Sequence, residues 1–144
     1  MLVKRIFIFL LLVLLLRPGV SAAPVQEFVV VVHKDRKVAS ITTRELKRIF
    51  LGKLKKWPDS QAIIPVFNMN SDVHNTFSRN VLNKSQAQLK TYWRKQLFSG
   101  RSIMPYTANS SEDVVAYLSK FTNAVSYMSK DAVREPLRPV RIVR

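Results

Sequence analysis

The sequence predicts an α/β fold in which strands and helices alternate along a single domain. Three observations carry that prediction. Phe28-Val29-Val30-Val31-Val32 is an unbroken apolar, mostly β-branched run, the pattern of a strand covered on both faces of a sheet. Thr42-Thr43-Arg44-Glu45 has the spacing of a capping box and opens a segment with Leu46, Ile49 and Phe50 on one helical face. Ile63-Ile64-Pro65-Val66-Phe67 is a second short strand, and helical spacing resumes soon after it. Elements in that order fold as layers, with helices packed on a sheet.

Taken in order, the first strand spans 27–32 and ends in the polar turn His33-Lys34-Asp35-Arg36. The helix opened by Thr42 stops at Gly52, a residue suited to the left-handed conformation that closes helices. A basic loop, 53–59, carries Trp57-Pro58. Pro65 has no amide donor, so it belongs at a sheet edge or at the irregular end of its strand. After the polar loop 68–71, Ser71 or Asp72 caps a helix running to about Leu82, with Val73, Phe77 and Val81 inward. Ser85 and Gln88 form a second capping box and start a longer helix. Leu89, Tyr92, Trp93 and Leu97 share one side of it, and Gly100 ends it. Residues 102–109 read as a loop. Ser110 or Ser111 caps a helix over 112–120 whose apolar members are Val114, Val115 and Leu118. Residues 124–128 form a third strand, 130–132 a turn, and Val140, Ile142 and Val143 a last strand. Strand order does not follow from the sequence.

Composition limits the function classes. The amino-terminal residues read as a secretory signal: Lys4 and Arg5, then the apolar run 6–16, then Arg17-Pro18-Gly19 and the small residues Ser21-Ala22. That run is short for a membrane span, which needs about 20 apolar residues. The expected division is a signal peptide at 1–22, cleaved near Ala22, and one exported domain at 23–144, in the periplasm. The whole chain has 24 Lys and Arg against 9 Asp and Glu. The leader takes Lys4, Arg5 and Arg17 with it, which leaves 21 against 9 and a net charge of +12. Such a field draws anions. Basic residues spread along the chain and an export signal both argue against a nucleic-acid partner. The chain has no cysteine, which removes disulfides, thiolate metal sites, thiol nucleophiles and a lipidated amino-terminal cysteine. Only three glycines are present, and no Gly-rich phosphate loop.

Few residues carry chemistry. Ser71, with Asn70 and Asn75 beside it, stands at a helix start, where backbone amides and a hydroxyl can hold an oxyanion; the competing role is a simple helix cap. Arg79, two turns on, would bring charge to that site or lie exposed on the helix. His33 and His74 are the only imidazoles and have no metal spacing, so structural or surface roles are expected. Trp57, Tyr92, Trp93 and Tyr127 sit beside apolar faces and are expected in packing rather than in ligand stacking. Glu112 and Asp113 suit the first turn of a helix better than a catalytic pair. Lys53, Lys55, Lys56 and the arginine-rich tail either face solvent or meet an acidic partner. No nucleophile–base pair or metal set is visible, so no enzyme, cofactor or metal is expected.

Five blocks, in order over about a hundred residues, carry a resemblance. They are Ile41–Lys53 with its Ile49-Phe50-Leu51-Gly52-Lys53, Lys56-Trp57-Pro58-Asp59, Ile63–Val66, Tyr92-Trp93 through Phe98-Ser99-Gly100, and Ala124-Val125-Ser126-Tyr127. Together they resemble the short relatives of phosphate ABC-transporter substrate-binding proteins, of the type 2 periplasmic-binding-protein fold. The resemblance implies a single lobe, a mixed sheet flanked by helices, where full-length members have two lobes with an anion between them. It also implies an anion site in a loop with Arg and Ser-Gly-Thr leading into a helix. Here the corresponding loop is Asn68-Met69-Asn70-Ser71-Asp72-Val73: the serine is kept as Ser71, Asp72 replaces the glycine, Val73 the threonine, and no arginine is present. Two functions follow. One is an exported solute-binding protein for phosphate or another small oxyanion, in ABC-type uptake or sensing. The other is a periplasmic interaction or sensor-accessory module that kept the fold without the ligand. A periplasmic or membrane protein partner fits both, and a lone lobe leaves a dimer open.

Overall fold

The computed structural model describes residues 27–102 and 104–144, with Ser71 described by its backbone alone. The signal-peptide reading, 1–22, lies outside the described residues. Among those described, no helix is long and apolar enough to cross a membrane.

The elements are β1 (Phe28–His33), β2 (Ser40–Thr42), α1 (Thr43–Phe50), β3 (Ile64–Asn68), α2 (Ser71–Asn80), α3 (Gln86–Phe98), β4 (Tyr106–Ala108), α4 (Ser111–Lys120), β5 (Ala124–Ser129) and β6 (Leu137–Val143). The strands form a six-stranded sheet in the order β2-β6-β1-β5-β3-β4. Strand β1 runs antiparallel to both β5 and β6, while β3 runs parallel to β4 and β5. This is the mixed sheet flanked by helices that the sequence resemblance implies.

Alternate residues of the central strands face two separate cores. Val30 and Val32 of β1, Phe67 of β3 and Val125 and Tyr127 of β5 join α1, α2 and α3 on one face. Val31, Val66, Ala124 and Met128 join Val114 and Leu118 of α4 on the other. The valine run of β1 does not alternate with polar residues because both of its faces are covered.

Local chemistry explains the boundaries. Thr42 accepts from the Glu45 amide, and Glu45 accepts from the Thr42 amide, closing the capping box that opens α1. Gly52 then takes φ +71 beyond the helix end. Its pro-side-chain direction meets Trp93, so a β-carbon there would be strained in conformation and crowded as well. Ser85 and Gln88 close the second box at α3. Pro65 sits at the start of β3, paired with Val125, before the pairing with β4 begins at Val66. Its missing amide therefore interrupts no bond to β4.

Several expectations need correction. The cap position of α2 is Asn70, not Ser71 or Asp72, and the helix ends at Asn80 rather than near Leu82. The stretch read as a loop contains strand β4, and a short strand β2 precedes α1. The last strand begins at Leu137, not Val140. Leu97 shares the helix with buried Leu89 and Trp93 but is itself exposed, because α3 has run past the core by its last turn.

Candidate functional site

Strands β3 and β4 run side by side, with Asn68 opposite Ala108, and the Met69 amide donates to the Ala108 carbonyl at 2.8 Å. Each strand then leads into a helix, α2 from β3 and α4 from β4. The two helices depart to opposite faces of the sheet, since α2 packs in one core and α4 in the other. Their chains also return to opposite sides of β3, to β4 and to β5. Such a parting at the carboxyl ends of parallel strands marks the usual ligand position in open α/β sheets.

The two helix starts differ. At α4, Ser110 accepts from the Asp113 amide at 3.2 Å, and Asp113 accepts from the Asn109 amide at 3.2 Å. Its own side chains close that end. At α2, the cap residue Asn70 makes no side-chain bond to the first-turn amides. The amides of a first helical turn have no partner within the helix and carry its positive end, a combination suited to an anion.

The turn before α2 is held from below. Asn68 is fully buried; its amide donates to the Tyr127 carbonyl at 3.1 Å and its oxygen accepts from the Asn70 amide at 3.1 Å. Sequence reasoning passed over Asn68, because its partner Tyr127 is 59 positions away. Of the residues singled out beforehand, Asn70 and Ser71 stand at the helix start, Ser71 by its backbone alone. Asn75 is exposed one turn further on. Arg79 lies in the last turn of α2, about 12 Å along the axis from its start, so the helix carries it away from Asn70. Asp72 is in the first turn and exposed.

Behind the start of α2, His74 and Tyr127 are buried against each other. His74 Nδ1 lies 2.7 Å from the Tyr127 hydroxyl, and their rings are near-parallel at 6.3 Å. Burial pushes the Tyr127 phenol well above its ordinary range and holds His74 below its ordinary value of 6.5. A protonated phenol therefore faces a neutral imidazole, and the two share one hydrogen bond. Because the unfolded chain binds the His74 proton at a higher pH than the folded one, stability is full above about pH 6.5 and falls as the pH drops below it. The limit for one proton is about 1.4 kcal/mol per pH unit. Urea unfolding at several pH values should show this loss in the parent and a flatter profile in His74→Gln; superimposed profiles would refute it.

Of the remaining candidates, His33, Trp57, Tyr92 and Arg138 are tied into the fold. His33 is buried at the end of β1 and its Nδ1 accepts from the Asp35 amide at 3.2 Å. Trp57 donates from Nε1 to the Asn123 carbonyl at 2.9 Å, under the guanidinium of Arg36, which is paired with Asp59. Tyr92 donates to the Leu51 carbonyl at 2.7 Å. Lys53, Lys55 and Lys56 are exposed. In the tail, Arg138 donates to the carbonyls of Arg36 and Val38, tying β6 to the turn after β1. Among the described residues no group of three or more His, Cys, Asp or Glu could hold a metal ion.

Solved structures share this architecture. The chain aligns with a Clostridium perfringens protein named as a phosphate ABC transporter substrate-binding protein, solved with bound phosphate, at a TM-score of 0.61 and 16% identity, covering 80% of this chain and 44% of that one. It aligns with an ABC-type phosphate transport receptor from Vibrio cholerae at 0.53 and 17%, covering 80% and 45%. A phosphate-binding protein from Stenotrophomonas maltophilia gives 0.57 and 12%, covering 81% and 39%. The chain thus spans less than half the length of each of these proteins, and at such identities the likeness speaks for the fold. No curated protein matches the sequence. A model of the PBP superfamily domain matches residues 24–136. That match spans every element from β1 to β5, and the protein belongs to the PBP superfamily domain family.

Proposed function

We propose that this protein is an exported, non-enzymatic solute-binding protein that takes phosphate or another small oxyanion at the amino end of α2, in ABC-type uptake or sensing. The observation that carries this reading is the start of α2, set at the carboxyl end of β3 and left without a side-chain cap by Asn70. The neighbouring helix start, α4, is closed by its own residues. The family and the phosphate-binding structures it aligns with agree with the reading, as does the basic balance of the chain. Asp72 and Val73 in place of the glycine and threonine of the phosphate binders favour a second reading, an interaction module of the same fold without a ligand.

Calorimetry and thermal melting with phosphate, sulfate and small carboxylates separate the two. An anion bound only by the folded protein, at a hundred times its dissociation constant, adds about 2.7 kcal/mol of stability. Asp72→Asn removes a negative charge from the first turn and should tighten phosphate about fivefold, the effect of roughly 1 kcal/mol of relieved repulsion. Ser71→Ala, which deletes a hydroxyl at the first position of the helix, should weaken it. The absence of any thermal shift with every anion would reject the first reading in favour of the second.

A further inference from the structure

A cavity of about 510 Å³ opens beside α2, between α3 and β4. It adjoins the start of α2 through Met69, and the rest of its wall is made by the side of α2 at His74, by Leu89, Lys90 and Trp93 of α3, and by Phe67 and Met104. We propose that it binds a small amphiphilic carboxylate, an organic acid with an aromatic or aliphatic body.

Size and chemistry both point to that class. Ligand sites are typically concave, mostly apolar, about 300–1,000 Å³ in volume, and carry a few placed polar groups. Phe67 and Leu89 are buried in the wall and Met104 is exposed at the mouth, so the bulk of the surface takes an apolar body. The polar groups are biased toward donors. Lys90 is the charged residue of the lining, exposed at the rim, and no Asp or Glu is among the described residues that line the cavity. His74 has Nδ1 engaged by the Tyr127 hydroxyl, which leaves Nε2 as the ring nitrogen for the cavity. Trp93 is 6% exposed, and its indole Nε1 is sealed from solvent with no hydrogen-bond partner. The indole nitrogen is therefore off the cavity surface, and Trp93 adds ring carbons to the apolar wall. The Lys90 cation at the rim, with no acid in the described lining, selects against cations and for an anionic head.

The two tryptophans give the experiment an internal control. Trp93 lines the cavity, whereas Trp57 is remote from it and has its Nε1 engaged by the Asn123 carbonyl. Titrating the ¹⁵N-labelled protein with 4-phenylbutyrate should move the Trp93 indole cross-peak and leave that of Trp57 in place. The uncharged 4-phenylbutanol should bind about fivefold more weakly, the usual size of one partly exposed charge pair. Lys90→Gln should erase that difference, and Ala87→Trp, at an exposed lining position on α3, should abolish binding of both by filling the mouth. The proposal is overturned if the Trp93 peak stays fixed at millimolar acid, if both indole peaks move together, or if acid and alcohol bind equally well. A phosphate titration on the same sample reports on the α2 start, so either site can fail without the other.

Discussion

Replacing Phe77 with alanine should cost about 3–5 kcal/mol of unfolding free energy, the range for truncating a buried phenylalanine. The reason lies in what the ring touches. Phe77 is fully buried on the inner face of α2 and stacks on Tyr127 of β5 at 3.7 Å, with 7° between the planes. It also meets Phe50 of α1 edge-on at 4.8 Å and Phe28 of β1 at 5.2 Å. One side chain therefore joins two helices and two strands, and the surrounding rings cannot collapse into the space without giving up their own edge-to-face geometry. Against a total stability of about 5–15 kcal/mol, the loss is a large fraction, and the melting temperature should fall by roughly 10–20 °C. Phe98 is the control: it is 87% exposed at the end of α3, and alanine there should change stability by less than about 0.5 kcal/mol. Denaturant unfolding of both variants decides the matter. A Phe77→Ala loss below about 1 kcal/mol would mean that α2 is not anchored through this ring, and with it the placement of the helix start.

What the sequence revealed and what it hid divides by range along the chain. The Val30–Val32 run announced a strand covered on both faces because consecutive β-branched residues suit a strand and each of its faces meets a core. The boxes at Thr42 and Ser85 are visible because all their partners lie within three residues. At α2 the same local reasoning failed: Asn70, Ser71 and Asp72 are three cap-forming residues in a row, and only the carboxyl end of β3 decides which of them stands outside the helix. Strand β4 was hidden because it is three residues long, follows Pro105 and exposes Tyr106 and Thr107, so it shows no hydrophobic pattern. Its existence rests on pairing with Val66, Phe67 and Asn68, about forty positions upstream. The pairing of His74 with Tyr127 and of Asn68 with the Tyr127 backbone is likewise set by topology, with 53 and 59 positions between partners. The helix start could therefore be named from the sequence, while the groups that hold it in place could not.

On the proposed reading, Asn68→Ala should weaken phosphate binding at the α2 start more than any change in the first turn itself. Asn68 contacts no ligand in this scheme; it positions the turn that does. Its side chain bridges the Tyr127 carbonyl of β5 to the Asn70 amide, so the last residue before the helix is fixed relative to the sheet. Alanine removes both bonds at once. The Tyr127 carbonyl loses a buried donor, at a cost of about 1–3 kcal/mol, whereas the amide of exposed Asn70 can turn to water. Once Asn70 is free to turn, the first-turn amides no longer converge on one point, and an anion must order them at its own expense. Phosphate affinity should fall by tenfold or more, equivalent to about 1.4 kcal/mol or above. Ser71→Ala, which takes away one hydroxyl and leaves the turn pinned, should cost less than that. Calorimetric titration of the two variants, with their folded state checked by thermal melting, sets these outcomes apart. A folded Asn68→Ala protein that binds phosphate as the parent does would show that the α2 start does not depend on its anchor to β5.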